Sequence, residues 1–170
     1  YIIGGSIRTD GSSNFGADHQ FGTFYSGSVG WNVAKEEFFN VDWINTMKFR
    51  ASYGTVGNRG SLGPYGPQGT VGFGNPYPGG STTSNVNSPN ENLKWESTAI
   101  VDVGLELGLF NNRVTAVVDY YRKETTDLLF QVPAADESGI PGFAINSNLG
   151  KIENKGWEFE LNADIIRTPD

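Results

Sequence analysis

From Ala99 to Lys123 the chain alternates apolar and polar residues almost without a break, interrupted only at Asn111-Asn112. Ala99, Val101, Val103, Leu105, Leu107 and Leu109 share one face, against Ile100, Asp102, Gly104, Glu106 and Gly108 on the other. Past the two asparagines, Val114, Ala116, Val118 and Tyr120 alternate with Arg113, Thr115, Val117, Asp119 and Tyr121. A period of two marks a strand with one apolar face. Asn tolerates the positive φ that a two-residue hairpin turn requires. Such a turn sets Phe110 opposite Arg113 and Leu109 opposite Val114, then Leu107 opposite Ala116, Leu105 opposite Val118 and Val103 opposite Tyr120. Every pair after the first is apolar, and a slip of one residue would mismatch the faces throughout.

Four more strands read the same way. Gly156 to Arg167 places Trp157, Phe159, Leu161, Ala163 and Ile165 opposite Glu158, Glu160, Asn162 and Asp164. Met47 to Gly54 places Met47, Phe49, Ala51 and Tyr53 opposite Lys48, Arg50 and Ser52. Ser28 to Val33 and Tyr1 to Arg8 complete the set, the last with Gly4-Gly5 in its middle. The connections differ in length. Asn58 to Asn92 and Thr126 to Lys151 are long, and the first is rich in Gly, Pro, Ser and Asn. Thr9 to Gln20 is intermediate. If the strands run up and down, these three lie at one end of the sheet. The other end holds the Asn111-Asn112 turn and the segment from Ala34 to Thr46. Long loops on one side and shorter ones on the other are the habit of outer-membrane barrels.

Composition narrows the chemistry. The chain contains no Cys, which excludes a disulfide scaffold or thiolate metal site, and a single His excludes a His-rich metal cluster. A net charge of −7 disfavours nucleic acid as a partner. No apolar run approaches the ~20 residues of a membrane helix, a signal that β-barrels never show. The chain starts at Tyr1 with strand-like residues and stops just after a strong strand pattern, so it reads as a fragment of a larger protein.

A strand with one apolar face fits two settings. In a soluble sandwich that face meets another sheet; in a membrane barrel it meets lipid and the polar face lines the lumen. No Asp, Glu, Lys or Arg interrupts the apolar rows named above, and Trp31, Trp95, Tyr120 and Trp157 gather near strand ends, where an interfacial belt would lie. Both favour the barrel. The rival readings are a soluble β-sandwich binding carbohydrate through Tyr65 and Tyr77, and a surface structural or adhesive β-module.

Several segments, in order along nearly the whole chain, resemble the SusC/RagA family of TonB-dependent outer-membrane transporters. They are Arg8-Thr9-Asp10-Gly11-Ser12-Ser13-Asn14-Phe15-Gly16, Ser28-Val29-Gly30-Trp31-Asn32, Met47 to Gly54 with Gly57-Asn58, Leu93-Lys94-Trp95-Glu96, Asp119-Tyr120-Tyr121, Thr126-Asp127-Leu128-Leu129 and Asn154-Lys155-Gly156-Trp157-Glu158. The resemblance implies an all-β, antiparallel, up-and-down architecture. Residues 1–170 would supply about six consecutive strands of a 22-stranded transmembrane β-barrel, without its plug domain. It also implies a place in the outer membrane of a Gram-negative bacterium, contact with outer-membrane lipid, and transport powered by the TonB complex. A SusD-like surface lipoprotein would cap the long-loop side, and the cargo would be an oligosaccharide or a peptide.

Individual residues point to no catalytic centre, metal site or cofactor. Asp10-Gly11-Ser12-Ser13 lacks the acidic spacing and closing Glu of an EF-hand and reads as an external turn. His19 stands alone, and Glu158/Glu160 and Asp102/Glu106 read as a hydrated wall rather than glycosidase carboxylates. Gly66 to Gly74 lacks the Lys-Ser/Thr of a phosphate loop. Two expectations follow. Lys48, Arg50 and Glu106 form cross-strand ion pairs inside the barrel, with Asp102 close by, and Arg113 and Asp164 form a second pair, all six facing the lumen. The aromatic rings of Tyr65, Phe73 and Tyr77 in the external loop contact cargo or a partner.

Overall fold

A computed structural model describes residues 1–60, 62–63, 67–77, 80–87, 89–133 and 144–165. Six strands form the main sheet: β1 (Ile2–Gly11), β2 (Phe21–Asn32), β3 (Ile44–Asn58), β6 (Glu96–Leu109), β7 (Val114–Thr126) and β10 (Lys151–Ala163). They lie side by side in that order, each antiparallel to its neighbour. The six expected strands are all present, and most run longer than their alternating cores. Two expected ends differ: Val33 leaves β2 for a short 3-10 turn, Val33–Lys35, and β10 stops at Ala163, so Asp164 and Ile165 lie outside the strand expected to run to Arg167, whose last two residues are outside the described set.

The hairpin register is the expected one, with Leu109 opposite Val114, Leu107 opposite Ala116, Leu105 opposite Val118 and Val103 opposite Tyr120. Arg113 N–H donates to the Phe110 carbonyl (3.3 Å) across Asn111 (φ 58°) and Asn112 (φ 58°). Two successive positive-φ residues make this a type I′ turn, whose twist matches the flanking strands. Phe110 also sits at positive φ (53°), held by its N–H bond to the Trp43 carbonyl (2.8 Å) and by its ring against Trp43.

Because the strands are in register, side chains form rows across the sheet. Ile3, Val29, Ala51, Val103, Tyr120 and Trp157 make one apolar row, and Trp31, Phe49, Leu105, Val118 and Phe159 the next. Among the described residues nothing covers them. Val103 is 46% exposed, Trp157 64% and Phe159 74%. A sandwich would bury these residues under a second sheet. Instead the buried apolar side chains, Phe15, Phe24, Val33 and Leu93, lie at the two ends of the strands.

The long connections are not plain loops. They carry β4 (Thr70–Tyr77), β5 (Gly80–Asn87), β8 (Leu129–Pro133) and β9 (Ala144–Asn148), which form a second sheet in the order β4-β5-β9-β8. One parallel pairing, Asn87 with Ala144, joins the two connections. Connections 12–20, 59–95 and 127–150 all leave the same end of the main sheet; 33–43 and 110–113 leave the other.

Candidate functional site

On the face opposite the apolar rows, β3 holds Lys48 and Arg50 two residues apart. Register sets Lys48 against Glu106, and sets Arg50, Gly104, Asp119 and Glu158 in one row across β3, β6, β7 and β10. Lys48 Nζ lies 3.4 Å and Arg50 Nη1 3.8 Å from Glu106 Oε1. The tightest contact skips a strand: Arg50 Nη2 reaches Asp119 Oδ2 at 2.6 Å, over Gly104. A Cβ at Gly104 would collide with Asp119 Oδ1 and Arg50 Nε. Asp102 sits one row nearer the long connections, between Ser52 and Tyr121.

The sequence thus pointed to Lys48, Arg50 and Glu106, which the structure brings together, and missed Asp119. Its signal was the glycine between two oppositely charged positions of one row. The second expected pair needs correction. Arg113 Nη2 approaches the main-chain carbonyl of Asp164 (3.5 Å), and Asp164 N–H donates to the Arg113 carbonyl (2.7 Å). Among the described residues no ion pair joins their side chains, because Asp164 follows the end of β10 and meets Arg113 through its backbone.

At the long-loop end, segments far apart in sequence close over one another. The Phe15 ring packs tilted against Trp95 (centroids 4.8 Å apart), Phe24 meets Trp95 edge-on, and Leu93 is fully buried. Past Ser26 opposite Gly54, the β2–β3 ladder opens and the Thr55 hydroxyl bonds both Tyr25 N–H and its carbonyl. Gly16 N–H donates to the Leu93 carbonyl (3.1 Å), and a side chain at Gly16 would strike the Glu91 carbonyl. Asn14 Nδ2 reaches the Leu62 carbonyl (3.0 Å), and Asn90 ties to Pro67 and Asn146. Asn148 bonds Lys94 through both N–H and carbonyl and also holds the Asp127 carbonyl, while Lys94 Nζ pairs with Asp127 (3.0 Å). Glu96 receives Asn58 Nδ2 and Leu129 N–H. Trp95 therefore belongs to this loop core and not to an outer belt.

Tyr65 lies outside the described residues. Phe73 and Tyr77 fall on β4, opposite Thr83 and Gly80, and their side chains lie outside the described set. His19 closes the 3-10 turn Ala17–His19.

The apolar face ends in aromatic pairs, Tyr25 with Tyr53 and Tyr120 with Trp157 (5.0 Å). On β7 and β10, past the last apolar row, it turns charged. Arg122 bonds Glu153 (2.6 Å) and Glu124 (3.0 Å), Lys151 reaches Glu124 (2.9 Å) and Lys155 reaches Glu153 (3.1 Å). Hydrogen bonds from Arg122 and then Lys155 hold the Glu153 carboxyl below the usual carboxylate range.

An open antiparallel sheet whose uncovered apolar rows carry no charge, with charges on the opposite face and beyond the aromatic rows and long connections at one end, is the wall of a barrel in a membrane. The model of the TonB-dependent receptor-like β-barrel matches residues 1–167. The chain belongs to that family. TonB-dependent receptor P3 of Formosa agariphila is 40% identical over 174 residues, covering 100% of this chain and 17% of the relative. TonB-dependent receptor SusC of Bacteroides thetaiotaomicron is 36% identical over 178 residues, covering 100% and 18%. The RagAB peptide importer in its closed-closed state matches with a TM-score of 0.84 at 32% identity, over 99% of this chain and 18% of that one. The chain thus spans less than one fifth of the relatives it matches. The likeness to SusC and RagA expected from the ordered segments is borne out, as is the antiparallel barrel-wall fold. The chain is part of a β-barrel of the outer membrane, and the sandwich and adhesive-module readings fall away.

Proposed function

We propose that residues 1–170 are one stretch of barrel wall in a TonB-dependent importer of glycans or peptides, with no catalytic role. The observation that carries this reading is the uncovered apolar face, backed by a polar one on which β3, β6, β7 and β10 carry charged residues. Apolar rows meet lipid at no desolvation cost, whereas an Arg or Lys there would cost about 2–4 kcal/mol at the bilayer midplane. The opposite face, with Lys48, Arg50, Asp102, Glu106 and Asp119, then lines a hydrated lumen, with Arg113 at its short-turn end. A lumen placement for the Asp164 carboxylate is proposed on the same basis.

The tied-down connections form the external entrance. Tyr65, Phe73 and Tyr77 belong to the longest of them, where aromatic faces suit sugar rings or peptide side chains. A SusD-like surface lipoprotein is the proposed partner on that side, and the TonB complex the proposed energy source from within. The name of the peptide importer RagAB supports peptide as one cargo class.

Single cysteines in the full-length receptor test the orientation. Val103→Cys and Phe159→Cys should react with a bilayer-partitioning maleimide and not with a charged one; Ser52→Cys and Asp102→Cys should do the opposite. Equal labelling of both sets by the charged reagent would end the reading. TonB-dependent accumulation of labelled oligosaccharides or peptides by cells producing the receptor tests import itself.

A further inference from the structure

The register assigns a side to every charge of the main sheet. The outward, apolar side carries five: Arg122 and Glu124 on β7, and Lys151, Glu153 and Lys155 on β10. β1, β2, β3 and β6 place none there; toward the long connections their outward residues are Ile7 and Thr9, Tyr25 and Thr23, Tyr53 and Thr55, and Val101, Ala99 and Ser97. At the same end Arg8, Asp10, Glu96 and Lys123 belong to the opposite face.

The five charges mark a border. On β7 and β10 the apolar run stops at Tyr120 and Trp157, whereas on β1 it reaches Ile7, two rows nearer the long connections. The other end shifts the same way: β2 leaves the sheet after Trp31, while β10 continues through Leu161 to Ala163, two rows beyond. A band slanted against the rows at both ends is what strands tilted about 35–45° to a bilayer present. Arg122 and Lys155 occupy the row next to its edge, at headgroup depth. Long basic side chains at such a border keep their stems on apolar surface and their heads among the headgroups.

Within the cluster the carboxylates are the less exposed members, Glu124 at 27% and Glu153 at 29%, against 47% for Arg122, 53% for Lys151 and 62% for Lys155. Each Lys gives a carboxylate one of its three donors, and Arg122 Nη1 has no acceptor among the described residues. The cluster therefore turns N–H donors outward, with three positive charges over two negative ones. The next charges along the chain do not alter that sum, because Asp127 pairs with Lys94 (3.0 Å).

We propose that Arg122, Lys151 and Lys155 form a docking surface for the phosphate groups of outer-leaflet lipid headgroups. The proposal rests on the barrel-wall reading with the long connections external, and adds a lipid chemistry at a defined place. Glu124 and Glu153 hold the three cations side by side, and phosphate oxygens accept their remaining N–H donors. Each Lys or Arg beside an anionic lipid surface strengthens binding about fivefold.

The test titrates the full-length receptor in detergent with dioleoyl phosphatidic acid and with dioleoylglycerol, read by native mass spectrometry. Phosphatidic acid should bind about fivefold or more tightly. Arg122→Gln/Lys151→Gln/Lys155→Gln should erase the preference. Glu124→Gln/Glu153→Gln, which releases the cations, should enlarge it, whereas a cluster that only ties β7 to β10 would leave it unmoved. Soluble glycerol phosphate should not compete, because it has no acyl chains to lie on the apolar rows. Equal binding of the two lipids leaves the patch to water or a protein neighbour and overturns the proposal. So does a preference that survives the triple substitution or ignores the double one, and so does full competition by glycerol phosphate, which would make this a site for free anions. The barrel-wall reading fails separately, when the charged maleimide labels Val103→Cys and Phe159→Cys as readily as Ser52→Cys.

Discussion

Arg50 and Asp119 are joined at 2.6 Å although a whole strand lies between them. The bridge exists because position 104 has no side chain: Gly104 sits in the same row, and the guanidinium passes over it. It follows that Gly104→Val breaks the bridge by bulk alone, with both charges intact. In the full-length receptor, Gly104→Val should therefore lower the unfolding temperature at least as much as Asp119→Ala. Arg50 is over a third exposed, so a double-mutant cycle on Arg50→Ala and Asp119→Ala should give a coupling of only about 0.5–1 kcal/mol. A coupling near zero would mean the contact is incidental.

The way this bridge escaped notice shows what the sequence does and does not carry. Alternation and the Asn-Asn turn define β6 and β7 with their register, because a half-buried strand has only two faces and a slip exposes the wrong one. Pairing β3 with β6 then places Lys48 opposite Glu106. A contact between strands two apart has no sequence period, and only the glycine hints at it. The strands β4 and β5 were illegible for a different reason. Thr70–Tyr77 and Gly80–Asn87 are rich in Gly, Pro, Asn and Ser, with no sustained apolar alternation. Their pairing carries register shifts at Thr70/Val71 and Phe73/Asn75. Trp95 misled because an aromatic near a strand end serves an interfacial belt and a loop core equally well; its inward partners Phe15 and Phe24 come from another segment.

The two faces of β6 should respond oppositely to charge. Val103→Arg places a cation in the middle of an apolar row and should cost about 2–4 kcal/mol in a bilayer. Ser52→Arg, on the polar face of the neighbouring strand, should cost well under 1 kcal/mol, with Asp102 opposite to receive it. Denaturant titration of the folded receptor in vesicles measures both. Equal costs would argue against a lipid-facing role for the Val103 row.

The Asn111-Asn112 turn separates backbone from side-chain effects. Both residues sit at φ 58°. Asn112→Gly should be neutral or slightly stabilising, since Gly occupies this region without steric cost, although it removes the Asn112 Oδ1 contact to Thr46 (3.4 Å). Asn112→Val should destabilise by about 1–2 kcal/mol, because a β-branched residue is strained there. The comparison is read from unfolding midpoints of the two variants.

The charged cluster beyond Tyr120 and Trp157 gives a pH signature. Arg122 and Lys155 depress the Glu153 carboxyl in the folded state, so its contribution is present above the ordinary carboxylate range. It fades as the pH falls through the lowered folded value. Stability measured between neutral pH and pH 3 should therefore decline less steeply in Glu153→Gln than in the parent protein. Parallel curves would show that Glu153 titrates as a free surface carboxylate.

The buried residues at the long-loop end predict that loop order and barrel integrity can be uncoupled. Phe15 and Leu93 are almost fully buried, yet both lie in connections outside the main sheet. Truncating a core Phe or Leu to Ala costs about 2–5 kcal/mol. That loss falls on the contact holding segment 12–20 against Leu93 and Trp95, and the ladders from β1 to β10 keep all their pairs. Phe15→Ala or Leu93→Ala should therefore speed proteolysis and amide exchange within 12–20 and 89–95. Exchange in β3, β6 and β7, and the resistance of the folded receptor to unfolding in detergent, should stay unchanged. If β6 loosened in step with the connections, the loop core and the barrel wall would be one cooperative unit.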